Sequence, residues 1–422
     1  MLTLKRSELL PPPRACWVRE EGGLRWQVLR GFAAIERIAD AWNRGAHSGT
    51  LSPTADAIWM RAFWQAFSDP KDTLTLHALY EGDQLRAVVP VRPHGVLTHS
   101  WRSIRNPESP YWMFWMDESR PDLGVAVLDH LLEAADYIDF GPLHRDGPLF
   151  VALTEAAAVR GHRVVVEPRG GDAFVALIGG WETARQHISR NQQQQAARKM
   201  RQLQQLGELT YEVQRGGPEF LRILEECFEL ETKGWKGVDG APMKMDPHTY
   251  TFYKELALAS AEAGRFALYL LRLDGRLIAF EYCLRAQGKI DMLKLSFDPE
   301  YAKYSPGNVL RLLLLQDEAD RGEIHSYHMG RPSEWKERWA THIAPLVQLR
   351  IYGHRFWSTS AYWSGPALKR AVKSVPGFTR LYSMLTTRNG RRTHQRASTD
   401  RLRGDSAGPI SAESRTGAAS GT

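Results

Sequence analysis

One short turn combines residue types that suit a phosphate ligand: Tyr304, Ser305, Pro306, Gly307 and Asn308. A strand-like apolar run over residues 290–297 precedes it, and a helix-like run over residues 309–321 follows it. A helix that begins in such a turn places free backbone N–H groups and the positive end of its dipole together, which favours phosphate binding. Ser-Pro is also a common helix start, so the motif alone leaves both interpretations open.

The composition is that of a globular protein. The chain has 422 residues, of which 43% are hydrophobic and 24% charged, and this length predicts two or three domains. No apolar run approaches the ~18 residues of a membrane helix, and no signal-peptide core follows Lys5 and Arg6. We expect a cytoplasmic protein whose cysteines, Cys16, Cys227 and Cys283, are reduced and mostly buried.

Basic charge is concentrated near the end of the chain. Residues 355–403 contain eleven Lys or Arg and a single acid, Asp400, whereas the rest is close to neutral. Nucleic-acid-binding proteins more often spread basic charge over a folded face, which argues against nucleic acid as a partner. We expect a basic amphipathic segment at 355–387 and a disordered tail at 388–422. The segment could contact anionic lipid at the inner face of the membrane or a synthase complex, or only add solubility.

Two parts of the sequence resemble each other. Residues 76–90 and 268–280 both read as a strand, a tight Gly-Asp or Asp-Gly turn and a second strand. A second pair, residues 137–142 and 327–332, has nearly the same offset and follows helical runs in both cases. The simplest account is a mixed α/β (α+β) fold with two tandem domains, each a mixed twisted sheet flanked by helices. Chance similarity between short hairpins is the alternative.

A Gln- and Arg-rich stretch between the copies, residues 181–206, reads as a helix that ends at Gly207. It is either a solvated connector or a phosphate-facing wall of the cleft between the copies, since one side carries Arg185, Arg190, Arg198, Lys199 and Arg201. The predicted division is an N-terminal extension, a first domain, a connecting helix, a second domain, the basic segment and the tail, at residues 1–24, 25–180, 181–207, 208–354, 355–387 and 388–422.

Five stretches together resemble one known family: residues 139–142, 181–201, 234–237, 298–307 and 335–339. Residues 298–307 are similar to the signature D-P-x-Y-A-x-x-S-P-G, and residues 335–339 to the ending Y-K-x-R-W. Both belong to the CelD/BcsL-like acetyltransferases of the GNAT superfamily, which are associated with cellulose and exopolysaccharide loci. The resemblance covers roughly residues 25–352.

This resemblance implies an acyltransferase with acetyl-CoA or another acyl-CoA as co-substrate and no metal. The pyrophosphate would meet the N–H groups of Ser305, Gly307 and Asn308. An amine or hydroxyl of a saccharide or cell-envelope precursor would attack the thioester directly. That step needs a base for the proton of the acceptor and a donor for the developing oxyanion.

For the base we name Glu281, on the strand after an Asp-Gly turn, although an edge carboxylate facing water is the alternative. His325 and His328 are further candidates, and a packed histidine is the alternative for His328. The relatives often carry an acidic residue on the strand before Gly330, where this chain has Tyr327 and His328. A carboxylate role in acceptor binding is therefore in doubt.

The remaining candidates are cationic or aromatic. Lys294 interrupts an apolar strand, so it should pair with acceptor or phosphate, or with Asp291 or Glu281. We also assign acceptor binding, against core packing or a plain surface role, to Trp235, Lys236, Trp335, Lys336 and Arg338.

Two other functions stay open. FemX-like peptidyltransferases also use two GNAT-like domains but take aminoacyl-tRNA, and the basic connecting helix would suit that donor. A non-catalytic scaffold of a polysaccharide synthase complex is the other. The sequence has no HExxH, Walker, CxxC or GxSxG motif, which argues against metal chemistry and nucleotide hydrolysis.

Deleting residues 388–422 should leave the thermal unfolding midpoint unchanged, because a polar, Gly- and Ser-rich segment buries little apolar surface. Differential scanning calorimetry of the full-length and shortened proteins checks this expectation. A loss of several degrees would mean that the tail packs on the body.

Overall fold

The computed structural model describes residues 17–21, 23–49, 53–68, 74–95, 98–105, 109, 111–112, 114–234, 242–355 and 358–362. The strands are β1 (Trp17–Glu21), β2 (Leu24–Arg30), β3 (Thr75–Glu81), β4 (Gln84–His94), β5 (Ser100–Ser103), β6 (Trp115–Met116), β7 (Tyr137–His144), β8 (Arg163–Ala176), β9 (Leu209–Gln214), β10 (Phe266–Leu273), β11 (Arg276–Ala286), β12 (Gly288–Phe297), β13 (Ile324–His328) and β14 (His342–Tyr352). The helices are α1 (Phe32–Ser48), α2 (Ala57–Phe67), α3 (Leu123–Ala134), α4 (Pro148–Val159), α5 (Gly180–His187), α6 (Arg190–Gln204), α7 (Phe220–Gly234), α8 (Pro247–Glu262), α9 (Pro306–Arg321) and α10 (Glu334–Glu337).

The described strands form one mixed sheet in the order β1-β2-β3-β4-β5-β7-β14-β8-β13-β12-β11-β10-β9, with β6 paired to β4. Both predicted hairpins are present, as β3–β4 and β10–β11. The turn of the second has positive φ at Asp274 (49°) and Gly275 (77°), the conformation that favours Asp-Gly in two-residue hairpins. Each half contains one parallel pair, β5–β7 in the first and β12–β13 in the second.

The two halves, residues 24–176 and 209–352, exchange strands at the centre of the sheet. β14 of the second half lies between β7 and β8 of the first half and pairs antiparallel with both. The end of β8, in turn, pairs with β13 of the second half. The two predicted sheets are therefore one, and neither half has a complete sheet without a strand of the other.

The helices cover the sheet unequally. Alternate residues of the strands point to opposite faces, so Tyr282 and Leu284 face one core and Cys283 another. The first core is shared by the halves, because α1 and α2 pack there beside α7 and α8, with the ring of Trp59 5.1 Å from that of Phe252. We call this side the shared face. On the opposite face, α3 and α4 cover the first half and α5, α6 and α9 cover the second.

The predicted mixed α/β fold is confirmed, with one correction to its elements. The single helix predicted for residues 181–206 is two helices, α5 and α6, which Ile188 and Ser189 separate, and Ser189 caps α6. The predicted domain limits stay a prediction, and the helix predicted within residues 355–387 lies almost wholly outside the described residues. Cys227 and Cys283 are buried and free. None of the helices in the described part of the chain is long and apolar enough to cross a bilayer.

Replacing Leu349 with Ala should lower the free energy of unfolding by about 2–5 kcal/mol, the usual cost of such a cavity. Leu349 is fully buried in β14, between Phe140 of β7 and Val166 of β8. The matched control is Ile343→Ala on the same strand, where the side chain is 50% exposed and the loss should be small. Denaturant unfolding measures both, and equal losses would contradict the central role of the exchanged strand.

Candidate functional site: a gap between two parallel strands

The central feature of the second half is a gap between β12 and β13. The two strands pair from Gly288 and Ile324 to Asp291 and His328, where β13 ends. β12 continues to Phe297 with β11 on its other side. Beyond Asp291 and His328 the sheet is therefore open along β12, and we call this opening the strand gap.

The predicted phosphate turn leads from β12 into α9. Ser305 adopts a left-handed conformation (φ 48°, ψ 55°) and Pro306 is the first helical residue. The N–H of Ser305 donates to Ala302, and that of Asn308 donates to the carbonyl of Ser305. Of the three predicted phosphate donors, only Gly307 keeps an N–H without an acceptor within the described residues.

The basic helix α6 lies against this turn. The Nζ of Lys199 donates to the carbonyl of Lys303 at 2.5 Å and lies 6.0 Å from the ring centroid of Tyr304. The Nζ of Lys303 is 4.9 Å from the same ring. Two ammonium groups thus accompany the start of α9, a charge arrangement that favours a phosphate ligand.

Glu281 lies in the middle of the sheet, on the face that α9 covers, and is 1% exposed. The alternative of a water-facing edge carboxylate is therefore wrong. Arg311 of α9 donates to one carboxylate oxygen and the hydroxyl of Tyr327 to the other. Burial raises the pKa of Glu281, against the opposing charge of Arg311. With both oxygens occupied, Glu281 is poorly placed to accept a proton from an acceptor.

Lys336 stands at the strand gap. Its Nζ donates to the carbonyl of Met329, just after β13, at 2.5 Å. Burial, together with the charge of Arg311, lowers the pKa of Lys336 to about 8, although Asp172 and Glu281 oppose the shift. A desolvated cation at a cleft is an arrangement that active sites often use.

The aromatic residues near α10 cover the gap. The guanidinium of Arg311 lies 4.5 Å from the ring centroid of Trp335, and the indole N–H of Trp339 donates to Asn308 at 3.0 Å. Arg338 instead pairs with Glu334 on the surface, where its side chain is 55% exposed. Trp335 and Lys336 are therefore brought to the gap with α9, and Arg338 is not.

The other predicted residues are not assembled with these. The Nζ of Lys294 lies 5.0 Å from the ring centroid of Tyr253, on the shared face, whereas Glu281 points to the opposite face. Trp235 and Lys236 lie outside the described residues. His325 is exposed at the start of β13.

A buried carboxylate that sequence reasoning missed, Asp172 of β8, organises the shared-face side of the gap. It is 0% exposed and accepts from His144 Nε2 at 3.0 Å and His328 Nδ1 at 2.6 Å through one oxygen. The other oxygen accepts from the N–H of Gly330 at 3.0 Å. The Nε2 of His328 lies 3.1 Å from the hydroxyl of Ser326. The sequence contained one signal for this site. Asp172 directly precedes the apolar run 173–177, and a carboxylate that is buried with such a run needs hydrogen-bond donors.

The imidazole and carboxylate atoms of His144, Asp172 and His328 lie within 4.8 Å of one another. A metal ion would need a position about 2.0–2.2 Å from each ligating atom. Here one carboxylate oxygen already accepts from both imidazoles, so hydrogen bonds account for the cluster.

A cleft between the halves reaches the same strands from their paired end. Its volume is about 630 Å³, and its wall includes Ser48, Arg86 and Glu118 from the first half and Gly288 and His325 from the second. This volume falls within the usual range of ligand sites.

Residues 190–339 match the family model of the acetyltransferase (GNAT) domain. No curated protein matches the chain significantly in sequence. Among solved structures, the crystal structure of FemX is similar with a TM-score of 0.51 at 12% identity, over 74% of this chain and 95% of that chain.

Two further structures are similar to the chain at lower scores. The C-terminal domain of a protein described as a lysylphosphatidylglycerol synthetase, from Agrobacterium fabrum, gives a TM-score of 0.48 at 14% identity, over 78% of this chain and 95% of that chain. A tandem GNAT protein from the clavulanic acid biosynthesis pathway gives 0.39 at 11% identity, over 78% and 99%. At these identities the likeness concerns the fold alone. The similarity to the acetyltransferase (GNAT) domain therefore concerns residues 190–339, which include the strand gap and the predicted phosphate turn.

Proposed function

We propose that the protein transfers an acyl group, most simply acetyl, from acyl-CoA to an amine or hydroxyl of a saccharide or cell-envelope precursor. The observation that carries this proposal is the strand gap, which has the start of α9 at its open end and a hydrogen-bonded Asp172–His328 pair at its closed end. A long, thin donor with a charged pyrophosphate at one end and a thioester at the other suits such a slot.

Within the described residues, the features of this donor site lie in the second half. The corresponding helix of the first half, α3, lies between the parallel strands β5 and β7 in the sequence. Asp122 directly precedes this helix, and its carboxylate pairs with Arg120 at 2.7 Å. An acid at a helix N-terminus competes with phosphate for the same positive potential. The first half therefore supplies walls and Asp172, and the second half supplies the donor cradle.

We assign to Lys336, predicted above to bind the acceptor, the stabilisation of charge on the thioester oxygen. Its ammonium reaches the carbonyl that follows β13, and its pKa of about 8 leaves it mostly protonated at neutral pH. A partly desolvated cation stabilises a developing oxyanion better than a solvated one. A polar acceptor would enter from the cleft of about 630 Å³ between the halves.

A second candidate is peptidyl transfer from aminoacyl-tRNA. The fold of FemX and the basic residues of α6 beside the phosphate turn favour it. RNA binding with a steep salt dependence would distinguish that donor from acyl-CoA.

Isothermal titration with acetyl-CoA, and with longer acyl-CoAs in parallel, should show binding that Gly307→Phe abolishes. Phenylalanine would cover the N–H of Gly307. The fold should tolerate it, because a Cβ at Gly307 meets its first neighbour, the ring of Phe297, at an ordinary 3.9 Å. The matched control is Asp320→Phe, at an exposed position near the other end of α9, which should bind normally.

Three results are informative. Wild-type affinity in the Gly307 variant would remove the turn as the phosphate site. If no acyl-CoA binds but tRNA binds with a steep salt dependence, peptidyl transfer from aminoacyl-tRNA would replace acyl-CoA-dependent transfer as the proposed function. Loss of binding in both phenylalanine variants would point to damage along the helix.

Lys336→Met should stabilise the protein at pH 7, and the gain should shrink between about pH 8 and pH 10. Burial lowers the folded-state pKa of Lys336 to about 8, while the unfolded value stays near 10.5. Within this window the unfolded chain binds more protons, so wild-type stability rises with pH and approaches that of the variant. Denaturant unfolding at several pH values measures the difference. A stability difference that does not change with pH would contradict a desolvated ammonium at Lys336.

A further inference from the structure

Three side chains near the closed end of the strand gap form a linear hydrogen-bonded chain. The hydroxyl of Ser326 lies 3.1 Å from Nε2 of His328, and Nδ1 of His328 lies 2.6 Å from the carboxylate of Asp172. The N–H of Gly330 fixes the other carboxylate oxygen at 3.0 Å. A hydroxyl within reach of a base, with the base oriented by a third group, is the arrangement that activates nucleophiles in covalent catalysis.

The pKa shifts of Asp172 and His328 favour transfer of the Ser326 hydroxyl proton to His328. Burial alone would raise the pKa of Asp172, but hydrogen bonds from His144 and His328 outweigh it and hold that pKa well below its usual range. Burial, followed by the charge of Lys289, lowers the pKa of His328. A neutral imidazole that donates through Nδ1 to an ionised Asp172 presents the lone pair of Nε2 to Ser326.

A cation lies on the strand that pairs with Ser326. Lys289 is the strand partner of Ser326 in the parallel β12–β13 pair, and its side chain is 11% exposed. Its Nζ donates to the hydroxyl of Tyr111 at 2.9 Å and lies 3.5 Å from Asp291. An ammonium held on the neighbouring strand adds positive charge on the same face of the sheet, and such charge can stabilise the oxyanion of a tetrahedral intermediate.

Ser326 lies on β13 between the residues that border the two openings of the site. Ser326 lies two residues before His328, and the pairing of His328 with Asp291 is the last one before the gap opens. On the other side, Gly288 and His325 line the cleft between the halves. Ser326 itself is half-buried.

We infer that Ser326 is a nucleophile that carries the acyl group as an ester between donor and acceptor. The inference rests on the proposed function and replaces direct attack by two displacements. Both halves build this centre, since Asp172 comes from β8 and the other groups come from β12 and β13.

In the first displacement, Ser326 Oγ bonds to the acyl carbon and the bond from carbon to sulfur breaks. The hydroxyl proton moves to His328 Nε2 and then to the departing thiolate, which leaves as the CoA thiol. In the second, the amine or hydroxyl of the acceptor attacks the ester. Its proton passes to His328 Nε2 and from there to Ser326 Oγ, which restores the starting state.

The test treats the full-length protein, without acceptor, with acetyl-CoA and separately with p-nitrophenyl acetate, an activated ester that needs no phosphate site. Intact-mass and peptide mass spectrometry should find one acetyl group on the peptide that contains Ser326, with a stoichiometric burst of released thiol or nitrophenolate. Ser326→Ala should lose the adduct, and Ser326→Cys should restore it as a hydroxylamine-sensitive thioester. Ser333→Ala is the matched control, since its hydroxyl is buried outside the hydrogen-bonded chain, and it should label normally.

The two reagents separate this inference from the donor proposal. Labelling of Ser326 by the activated ester alone supports the nucleophile and removes acyl-CoA as donor. Acetyl-CoA binding without an adduct from either reagent overturns the nucleophile and leaves direct transfer. An adduct that persists in Ser326→Ala also overturns it.

Discussion

The carboxylate of Asp172 is the contact on which the centre of this molecule depends. A fully buried negative charge is costly unless hydrogen bonds replace its water, and here three donors from β7, from β13 and from the turn after β13 do so. Those donors belong to both halves, so the charge is satisfied only when the halves meet in register. The hydrogen bonds that stabilise the buried carboxylate therefore form only when the strands around the gap are correctly aligned.

The halves share an architecture but differ in the residues at the start of one helix. In the second half, the helix after the parallel strand begins at a turn with a free N–H and two lysines beside it. In the first half, the corresponding helix begins at an acid bound to arginine. We therefore place the proposed anion binding at the helix start of the second half, since the first half has an acid at the corresponding position. Function lies in the side chains placed on the fold and not in the fold itself.

Local signals in the sequence were sufficient for much of the fold. The Gly-Asp and Asp-Gly turns located both hairpins, and Ser305-Pro306 located the start of α9, because turn and cap chemistry depends on neighbouring residues. The environment of Glu281 could not be read in this way, since its partners Arg311 and Tyr327 follow 30 and 46 residues later. Asp172 and His328 are 156 residues apart and meet only through the exchanged strands. Lys336 could be predicted from the sequence because it lies in the motif at residues 335–339, whereas Ser326 lies in no recognised motif.

The exchanged strand also has a consequence for synthesis. β7 and β8 are complete once residue 176 has emerged, but β14, which lies between them, ends at residue 352. At ordinary rates of translation this interval lasts about 10–35 s. During it, two strands of the first half have no partner on the sides that β14 will occupy, and such open edges pair readily with other chains. The nascent chain therefore exposes unpaired strand edges while it is still on the ribosome. Chaperone binding and slow expression should reduce aggregation at this stage, even if the completed protein is stable.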